Sequence, residues 1–370
     1  MNVSVFRFPM NSPSDSSALE DAINSGQLDP TKIICGIGKT EGNGGANDFT
    51  RQLATISVLN VLGSHLGGIE NAASQVTLAW SGGTEGVLSP HITLFARDMG
   101  ITSTTRNHGN RKRLAISVQN TRTLAPEEIG RMAEVKLVAD ATRRAMEECG
   151  ITDPSDVHLV IVKGPLLTPI MIEDAIKRQQ LVVTRDPNQS KVFARAATAL
   201  GVAVALGEVD MSAIHDDDIG TNMNLYSNVA MTSAGSEIQH CEIILVADSE
   251  HSTSAYRIGH GEMGDPIDIY GILNTLRSSG LSFNCLPSSD QQSRIAAVFA
   301  KAEAPKHNYI RGQRHTMLSD ADINYERHAR AAVGAVLASI IGNTAIFVSG
   351  GTEHQAPLDH APLAVIVKVD

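Results

Sequence analysis

The segment Ser-Gly-Gly-Thr-Glu occurs twice in this chain, at Ser81–Glu85 and at Ser349–Glu353. A relaxed copy, Ser-Ala-Gly-Ser-Glu, lies between them at Ser233–Glu237. Each copy adjoins an apolar run with the composition of a β-strand. Repetition within one chain indicates that the chain is built from related structural units. We therefore expect three such units.

A lysine and an arginine precede each serine in the same order. Each lysine is expected at or near the end of a strand, and each arginine at or near the start of a helix, such as 194–205 or 327–341. In chain order the residues are Lys39, Arg51 and Ser81, then Lys163, Arg195 and Ser233, then Lys301, Arg330 and Ser349.

Strand-like and helix-like segments alternate along the chain, which favours an α/β fold. Helices are predicted over 50–66 and 125–149, for example. Polar stretches at 102–112 and 248–252 mark the predicted boundaries. They divide the chain into unit A (residues 1–103), unit B (residues 112–249) and unit C (residues 253–370), each of mixed α/β pattern.

The composition argues against several kinds of partner. Acidic residues outnumber basic ones by 40 to 30, and this charge does not favour nucleic-acid or anionic-membrane binding. The sequence has no run of about 18 apolar residues and no recognisable signal peptide. Its four cysteines are scattered, without metal-ligand spacing. These features predict a cytoplasmic protein with free thiols and no nucleic-acid or membrane partner.

The repeated residue types suit acyl transfer. Serine needs a base before it attacks a carbonyl carbon, and a lysine whose pKa is lowered by neighbouring cations can serve. A glycine-rich turn lets backbone N–H groups face a developing oxyanion, and arginine binds planar carbonyl groups. A single Ser-Gly-Gly turn is usually only a turn. The same order of lysine, arginine and serine occurs three times. It predicts acyl transfer by a serine with a lysine as its base, on a planar, polar substrate of pseudo-threefold symmetry.

Other functional motifs are incomplete or absent. The run Gly36–Thr40 resembles the end of a phosphate-binding loop, but Ile33 stands where that motif needs its first glycine. None of the three serines lies in Gly-x-Ser-x-Gly, and no His-Glu-x-x-His occurs. A non-catalytic binding protein with the same pocket stays open as an alternative, although the presence of all three lysines weighs against it.

Longer motifs resemble the cyanuric acid hydrolase/barbiturase family of ring-opening amidohydrolases. The resemblance runs from Val5 to the C-terminus, and its clearest motifs are Gly38–Arg51, Trp80–Gly86, Pro165–Thr168, Phe299–Ala304 and Arg314–Asp320. It implies three similar α/β repeat units around a pseudo-threefold axis, with a single β-barrel-like core and helices outside. It also implies a homotetramer that opens a cyclic amide without a catalytic cofactor.

The same resemblance assigns roles to the repeated residues. It implies that Ser233 is the nucleophile and that Lys163 is its base. The implied substrate-binding residues are Lys39, Arg51, Ser81, Gly82, Arg195, Ala234, Lys301, Arg330, Ser349 and Gly350. Ala234 stands where a glycine follows the other two serines, an asymmetry that fits a distinct role for Ser233.

The resemblance further implies a structural Mg²⁺ or Ca²⁺ near the C-terminus, bound by hard oxygen ligands. The expected ligands are Glu303, Thr352, Gln355, Ala356, Pro357 and Asp359. Asp359 is a departure from the family pattern, because a glycine carbonyl is expected there.

The two ring substrates of this family, cyanuric acid and barbituric acid, differ by a ring nitrogen versus a methylene. Gly44, Gly45, Trp80 and the segment 203–211 are more like barbiturases, whereas 314–317 and 349–355 are more like cyanuric acid hydrolases. The second group contains the third serine turn, which is expected to touch the ring. Cyanuric acid is therefore the preferred substrate, and barbituric acid is the alternative.

Overall fold

The computed structural model describes residues 1–100 and 111–369. The predicted linker at 102–112 thus lies almost entirely outside the described residues. Strands and helices alternate in the described part of the chain, so the predicted α/β class is confirmed. No helix in this part is long and apolar enough to cross a bilayer.

The elements fall into three successive groups. The first is β1 (Asn2–Pro9), α1 (Ser17–Asn24), β2 (Ile33–Thr40), α2 (Thr50–Leu66), α3 (Ile69–Gln75), β3 (Thr77–Gly82) and β4 (His91–Asp98). The second is β5 (Arg113–Asn120), α4 (Met132–Glu148), β6 (Val157–Pro165), α5 (Pro169–Lys177), α6 (Pro187–Ala205), β7 (Ala230–Gly235) and β8 (Glu242–Ser249). The third is β9 (Tyr256–Met263), α7 (Ile269–Ser278), α8 (Ser289–Ser293), β10 (Ile295–Ala302), β11 (Tyr309–Ile310), β12 (Gln313–Arg314), α9 (Tyr325–Ile341), β13 (Phe347–Gly350) and β14 (Ala361–Lys368).

Each group forms its own four-stranded sheet, and the three sheets share one topology. The strand orders are β1-β4-β2-β3, β5-β8-β6-β7 and β9-β14-β10-β13. The parallel pairs are β2 with β3, β6 with β7 and β10 with β13, and every other pair within these sheets is antiparallel. A shared strand order is what three related units would produce.

The inner faces of the three sheets meet in one apolar core. Val5, Ile37, Ile161, Phe299 and Ile366 are buried together there, although they come from all three sheets. The outer faces pack against the helices of their own group in separate clusters. Within the described residues, no strand pairs with a strand of another sheet. The barrel-like core is therefore a packing of three sheets and not one hydrogen-bonded barrel.

Two predicted helices differ from those observed. Helix α6 begins at Pro187 because the Asp186 carboxylate caps it, accepting hydrogen bonds from Asn188 N at 2.7 Å and Gln189 N at 3.2 Å. Arg195 therefore lies two turns inside α6, and the prediction that it stands near a helix start is wrong. In the predicted helical stretch 125–149, α4 begins only at Met132, after Gly130 with its φ of +73°.

Candidate active site

The repeated lysines and serines lie side by side at the same position of each sheet. Across the parallel pairs, Lys39 is opposite Ser81, Lys163 is opposite Ser233, and Lys301 is opposite Ser349. Neighbouring strands are about 4.8 Å apart, so this register alone places each lysine within reach of its serine. The recurrence of Lys and then Ser in the sequence reflects this common register.

The three positions converge on one cavity. Ten of the twelve residues predicted to bind or cleave substrate line it: Arg51, Ser81, Gly82, Lys163, Arg195, Ser233, Ala234, Arg330, Ser349 and Gly350. The remaining two are Lys39 and Lys301, which are at most 1% exposed. Lys301 lines a small adjoining cavity together with Ser233 and Ser349. The fold thus brings together residues that are more than 300 positions apart in the sequence.

Two of the three lysines hydrogen-bond the serine beside them. Lys39 Nζ donates to Ser81 Oγ at 3.1 Å, and Lys301 Nζ donates to Ser349 Oγ at 3.2 Å. Each amine also donates to the carbonyl of the glycine after its serine, at 3.2 and 2.7 Å respectively. Both serines are less than a tenth exposed. Since Lys39 is a residue of β2, the run Gly36–Thr40 belongs to a strand and not to a phosphate-binding loop.

The lysine of the second pair has different partners. Lys163 Nζ lies 2.9 Å from Glu237 Oε1 and donates to the carbonyl oxygen of Trp80 at 3.3 Å. Ser233 Oγ has no hydrogen-bond partner among the residues that the structure describes. Ser233 is also partly exposed, unlike the serines of the other two pairs. The hydroxyl of Ser233 is therefore the most accessible of the three.

Burial lowers the pKa of all three lysines. It is the main reason why the pKa of Lys39 lies well below its usual value and why that of Lys301 falls to about 7. Burial also lowers the pKa of Lys163, although Glu237 opposes this effect. An arginine from a helix of another element group adds to the lowering in each case. Neighbouring cations were expected to lower these pKa values, and burial is the larger cause in all three lysines.

The glutamate that ends each serine turn binds an arginine from another element group. Each arginine donates through Nε and one terminal nitrogen: Arg51 to Glu237 at 2.9 and 3.2 Å, Arg195 to Glu353 at 2.8 and 2.6 Å, and Arg330 to Glu85 at 2.8 and 2.7 Å. The three pairs form a closed cycle around the cavity. Sequence reasoning assigned these glutamates no role, although their repetition was the signal that could have revealed one.

This pairing limits how the arginines can meet a substrate. The Nε edges of Arg195 and Arg330 are occupied by carboxylates, whereas their NH1 donors have no hydrogen-bond partner within the described residues. Each of these arginines can therefore still offer a ligand N–H donors from NH1 and from the second N–H of NH2, at the end of the guanidinium group. The carboxylates also compensate three of the positive charges at the cavity.

Four cavity-lining residues were not predicted as site residues: Gly44, Trp80, Lys191 and Glu326. Lys191 Nζ donates to the Gly44 carbonyl oxygen at 3.4 Å. Lys191 and Glu326 stand four positions before the arginines of α6 and α9, and residues at this spacing share a helix face. That spacing was the sequence signal for both of them.

Most of the residues expected to bind a metal surround a second cavity. Those that line it are Glu303, Thr352, Ala356, Pro357 and Asp359. The side chain of Gln355 is engaged elsewhere, because its Oε1 accepts a hydrogen bond from Thr232 N at 2.8 Å. Asp359 has a φ of +65°, a backbone conformation that favours glycine and explains why glycine is expected there.

The donor groups of this second cavity favour a cation held largely by carbonyl oxygens. The carboxylate of Glu303 has no hydrogen bond or ion pair in the described part of the chain, whereas that of Asp359 accepts from Lys306 N at 3.2 Å. Within residues 1–100 and 111–369, no three His, Cys, Asp or Glu side chains are grouped as a metal site. A hard cation would therefore need backbone carbonyls in addition to Glu303.

Comparison with known proteins identifies the family. Residues 4–368 match the family model described as amidohydrolase ring-opening protein. The chain belongs to this ring-opening amidohydrolase family. A cyclic amide hydrolase of Azorhizobium caulinodans is 54% identical over the full length of both chains. A cyanuric acid amidohydrolase of Enterobacter cloacae is 45% identical, also over the full length of both chains.

Two further comparisons bear on this ring-opening amidohydrolase. A solved structure described as "Cyanuric acid hydrolase: evolutionary innovation by structural concatenation" has a TM-score of 0.93 at 44% identity and covers 99% of both chains. Barbiturase 1 of a Nocardioides strain is 40% identical over 99% of this chain and 98% of its own. The predicted family and the predicted fold class are confirmed.

Proposed function

We propose that this ring-opening amidohydrolase hydrolyses cyanuric acid. The supporting observation is the single cavity lined by three serines and three arginines, one of each from every element group. Cyanuric acid is a planar ring with three equivalent carbonyl groups, so one ring can meet one serine and one arginine from each group. Relatives named cyanuric acid amidohydrolase, 45% identical over the whole chain, support the same substrate.

Ser233 is the proposed nucleophile, because it is the most exposed of the three serines and its hydroxyl has no hydrogen-bond partner in the described part of the chain. Its Oγ attacks a ring carbonyl carbon while Lys163 takes the hydroxyl proton. The ring C–N bond then breaks, and Lys163 passes that proton to the leaving nitrogen. Water releases the acyl group from Ser233 as carboxybiuret, which loses CO₂ to give biuret.

The other two serines are proposed to bind the remaining carbonyl groups. Lys39 and Lys301 donate to their hydroxyl oxygens, which orients the hydroxyl protons of Ser81 and Ser349 away from the lysines. Those protons can then be donated to carbonyl oxygens of the ring. Backbone N–H groups at Gly82, Ala234 and Gly350 are the proposed donors to developing negative charge.

Three matched variants test the choice of nucleophile. We expect Ser233→Ala to lower kcat by at least about 10³-fold, a loss typical of removing a nucleophile. Ser81→Ala and Ser349→Ala should retain measurable turnover with a raised KM, because each loses only a hydrogen bond to the ring. If Ser233→Ala were active while either of the others abolished turnover, the assignment to the second pair would be wrong.

Barbituric acid is the second candidate substrate. Gly44 and Trp80, two barbiturase-like residues, line the same cavity as Ser349 and Gly350, whereas residues 314–317 do not line it. Steady-state kinetics on both rings decides the matter, and we expect the higher kcat/KM for cyanuric acid. A higher value for barbituric acid would favour a barbiturase. Binding of either ring without turnover would favour a non-catalytic binding protein.

We also propose that Mg²⁺ or Ca²⁺ occupies the second cavity and stabilises the C-terminal loop. The supporting observations are the carboxylate of Glu303, which has no hydrogen bond or ion pair in the described part of the chain, and the left-handed backbone conformation of Asp359, which favours glycine. Metal analysis of the purified protein should find about one equivalent. Chelation should lower the thermal midpoint, and Glu303→Ala should abolish that sensitivity.

We propose that the protein is a cytoplasmic homotetramer, as the family resemblance implies. Large apolar side chains at Phe49, Ile170 and Leu181 are between 75% and 80% exposed, a feature typical of surfaces that meet another subunit. Sedimentation equilibrium should give four times the chain mass of 39.3 kDa. A mass of one chain would contradict the tetramer.

A further inference from the structure

We propose that Glu237 is a positioning residue that holds Lys163 and Arg51 together, and that this bridge makes the second of the three similar sites the reactive one. The inference rests on the proposed roles of Ser233 and Lys163. It assigns a function to the last residue of the second serine turn.

One carboxylate bridges two cations at this site. Glu237 Oε1 lies 2.9 Å from Lys163 Nζ and accepts a hydrogen bond from Arg51 Nε at 2.9 Å. Its Oε2 accepts a second hydrogen bond from Arg51 NH2 at 3.2 Å. The two cationic side chains are each only 4% exposed, so water screens these contacts weakly.

The equivalent glutamates of the other two turns make no such bridge. Glu85 binds Arg330 and lies 3.5 Å from Arg327, while Glu353 binds Arg195. Neither contacts a lysine in the described part of the chain. The lysines of those two sites hydrogen-bond their serines instead. The three turns therefore share a sequence pattern, but among the described residues only the second turn has its glutamate in direct contact with the lysine of the same site.

Four groups around Lys163 define its charge state. Burial and the charge of Arg51 lower the pKa of Lys163. Two carboxylates raise it: Glu237, and Glu242, which lies opposite Lys163 in the sheet. The carbonyl of Trp80 accepts a further hydrogen bond from the amine. Burial by itself would raise the pKa of Glu237, but Lys163 and Arg51 lower it to about 2, so this carboxylate stays ionised at neutral pH.

An ionised Glu237 stabilises the ammonium form of Lys163 without taking its proton. The neutral amine removes the hydroxyl proton of Ser233 as the bond from Oγ to the ring carbon forms. The resulting ammonium is stabilised by Glu237 until it gives the proton to the ring nitrogen, whose bond to carbon breaks. Throughout this exchange the same carboxylate keeps Arg51 in place at the cavity.

The test compares Glu237→Gln with its counterpart Glu85→Gln through the pH dependence of kcat and kcat/KM. In Glu237→Gln the pKa of Lys163 falls, so the acidic limb of kcat/KM should move by at least about one unit to lower pH. Its kcat should also fall by at least about tenfold, because the ammonium loses its counter-charge. Glu85→Gln should raise KM and leave the acidic limb in place. Equal behaviour of the two variants, or an unmoved limb in Glu237→Gln, would overturn the inference.

Two controls separate this inference from the proposed function. If Ser233→Ala is active in the same assay, the proposed nucleophile is wrong. If Ser233→Ala is inactive and the acidic limb of the kcat/KM profile does not move in Glu237→Gln, only the role of Glu237 is wrong. Circular dichroism checks folding. If Glu237→Gln does not fold, Glu237→Asp replaces it: the charge is kept but displaced, so kcat should fall with no movement of the limb. A shifted limb in Glu237→Asp would contradict the proposal.

Discussion

At the scale of single residues, the space beside the backbone decides whether the residue that follows each serine can carry a side chain. A Cβ added at Gly82 would lie 1.7 Å from Asp48 Oδ2, and one added at Gly350 would lie 2.7 Å from Arg330 NH1. Asp48 in turn lies 3.4 Å from Arg51 NH1. Ala234 occupies the corresponding position of the second turn. The second turn thus has room for a methyl group where the other two turns require glycine.

Gly82→Ala should therefore impair the site while Ala234→Gly should not. The added methyl group displaces Asp48 and with it Arg51, so we expect kcat/KM to fall by at least about tenfold. Ala234→Gly, the matched control, should stay within about threefold of the parent enzyme. Steady-state kinetics measures both, and equal losses in the two variants would contradict this explanation.

The sequence predicted ten of the fourteen residues that line the cavity, but not their contacts. The recurrent order of Lys and Ser was informative because one strand register, repeated in three sheets, produces it. The arginines recur because each lies on a helix that precedes the serine strand of its own group. It could not show that Lys163 contacts Glu237 instead of Ser233, because that choice depends on side-chain conformation. The pairing of each glutamate with an arginine was also hidden, since the partners are 158 to 245 residues apart.

At the scale of elements, strands and helices with strong local patterns were predicted well. Helix α2 was expected over 50–66 and is found there. Strand β7 was missed because its sequence, Ala-Met-Thr-Ser-Ala-Gly, lacks a β-branched run and is defined by pairing with β6. The start of α6 was missed because it depends on the cap at Asp186 and not on apolar periodicity.

A buried carboxyl group anchors helix α4. Glu134 is fully buried, and its carboxyl oxygens accept hydrogen bonds from Gly130 N at 2.7 Å and Cys241 Sγ at 3.4 Å. Burial raises the pKa of Glu134 to about 8 from an ordinary value of 4.5. The folded protein therefore keeps this group protonated at neutral pH, whereas the unfolded chain does not.

Glu134→Gln should remove a pH dependence of stability. Because the folded pKa is raised, the contribution of Glu134 is fully present below pH 4.5 and is lost as the pH rises to about 8. Glutamine does not titrate, so the free energy of unfolding of the variant relative to the parent should rise by up to about 1.4 kcal/mol per pH unit in this window. Urea unfolding at both ends of the window measures it. A difference that does not change with pH would contradict the prediction.

At the scale of the whole molecule, one apolar core and the cycle of Arg–Glu pairs join the three sheets, which share no strand pairing over residues 1–100 and 111–369. Each pair links two different element groups, and Arg330 with Glu85 links the last group to the first. The shared topology could be anticipated from the internal repeats. The cycle could not, because it appears only when the three sheets are assembled.

Breaking one pair of this cycle should destabilise the whole molecule. Arg330 and Glu85 are only 5% and 7% exposed, so Glu85→Gln leaves a buried charge unpaired. We expect a loss of about 3–5 kcal/mol in the free energy of unfolding. The double variant Glu85→Gln with Arg330→Met should recover part of that loss, because it removes the unpaired charge. Denaturant unfolding measures these free energies. If the loss in the double variant equals the sum of the losses in the two single variants, the Arg330–Glu85 pair does not couple the first and third element groups.

The most direct test of the central claim is a crystal structure of Ser233→Ala with cyanuric acid bound. The account predicts one ring in the cavity between Arg51, Arg195 and Arg330, with Ser81 and Ser349 each on a ring carbonyl oxygen and the third carbonyl carbon facing position 233. A ring bound outside this cavity, or one whose nearest carbonyl carbon faces Ser81 or Ser349 while position 233 is remote, would contradict it.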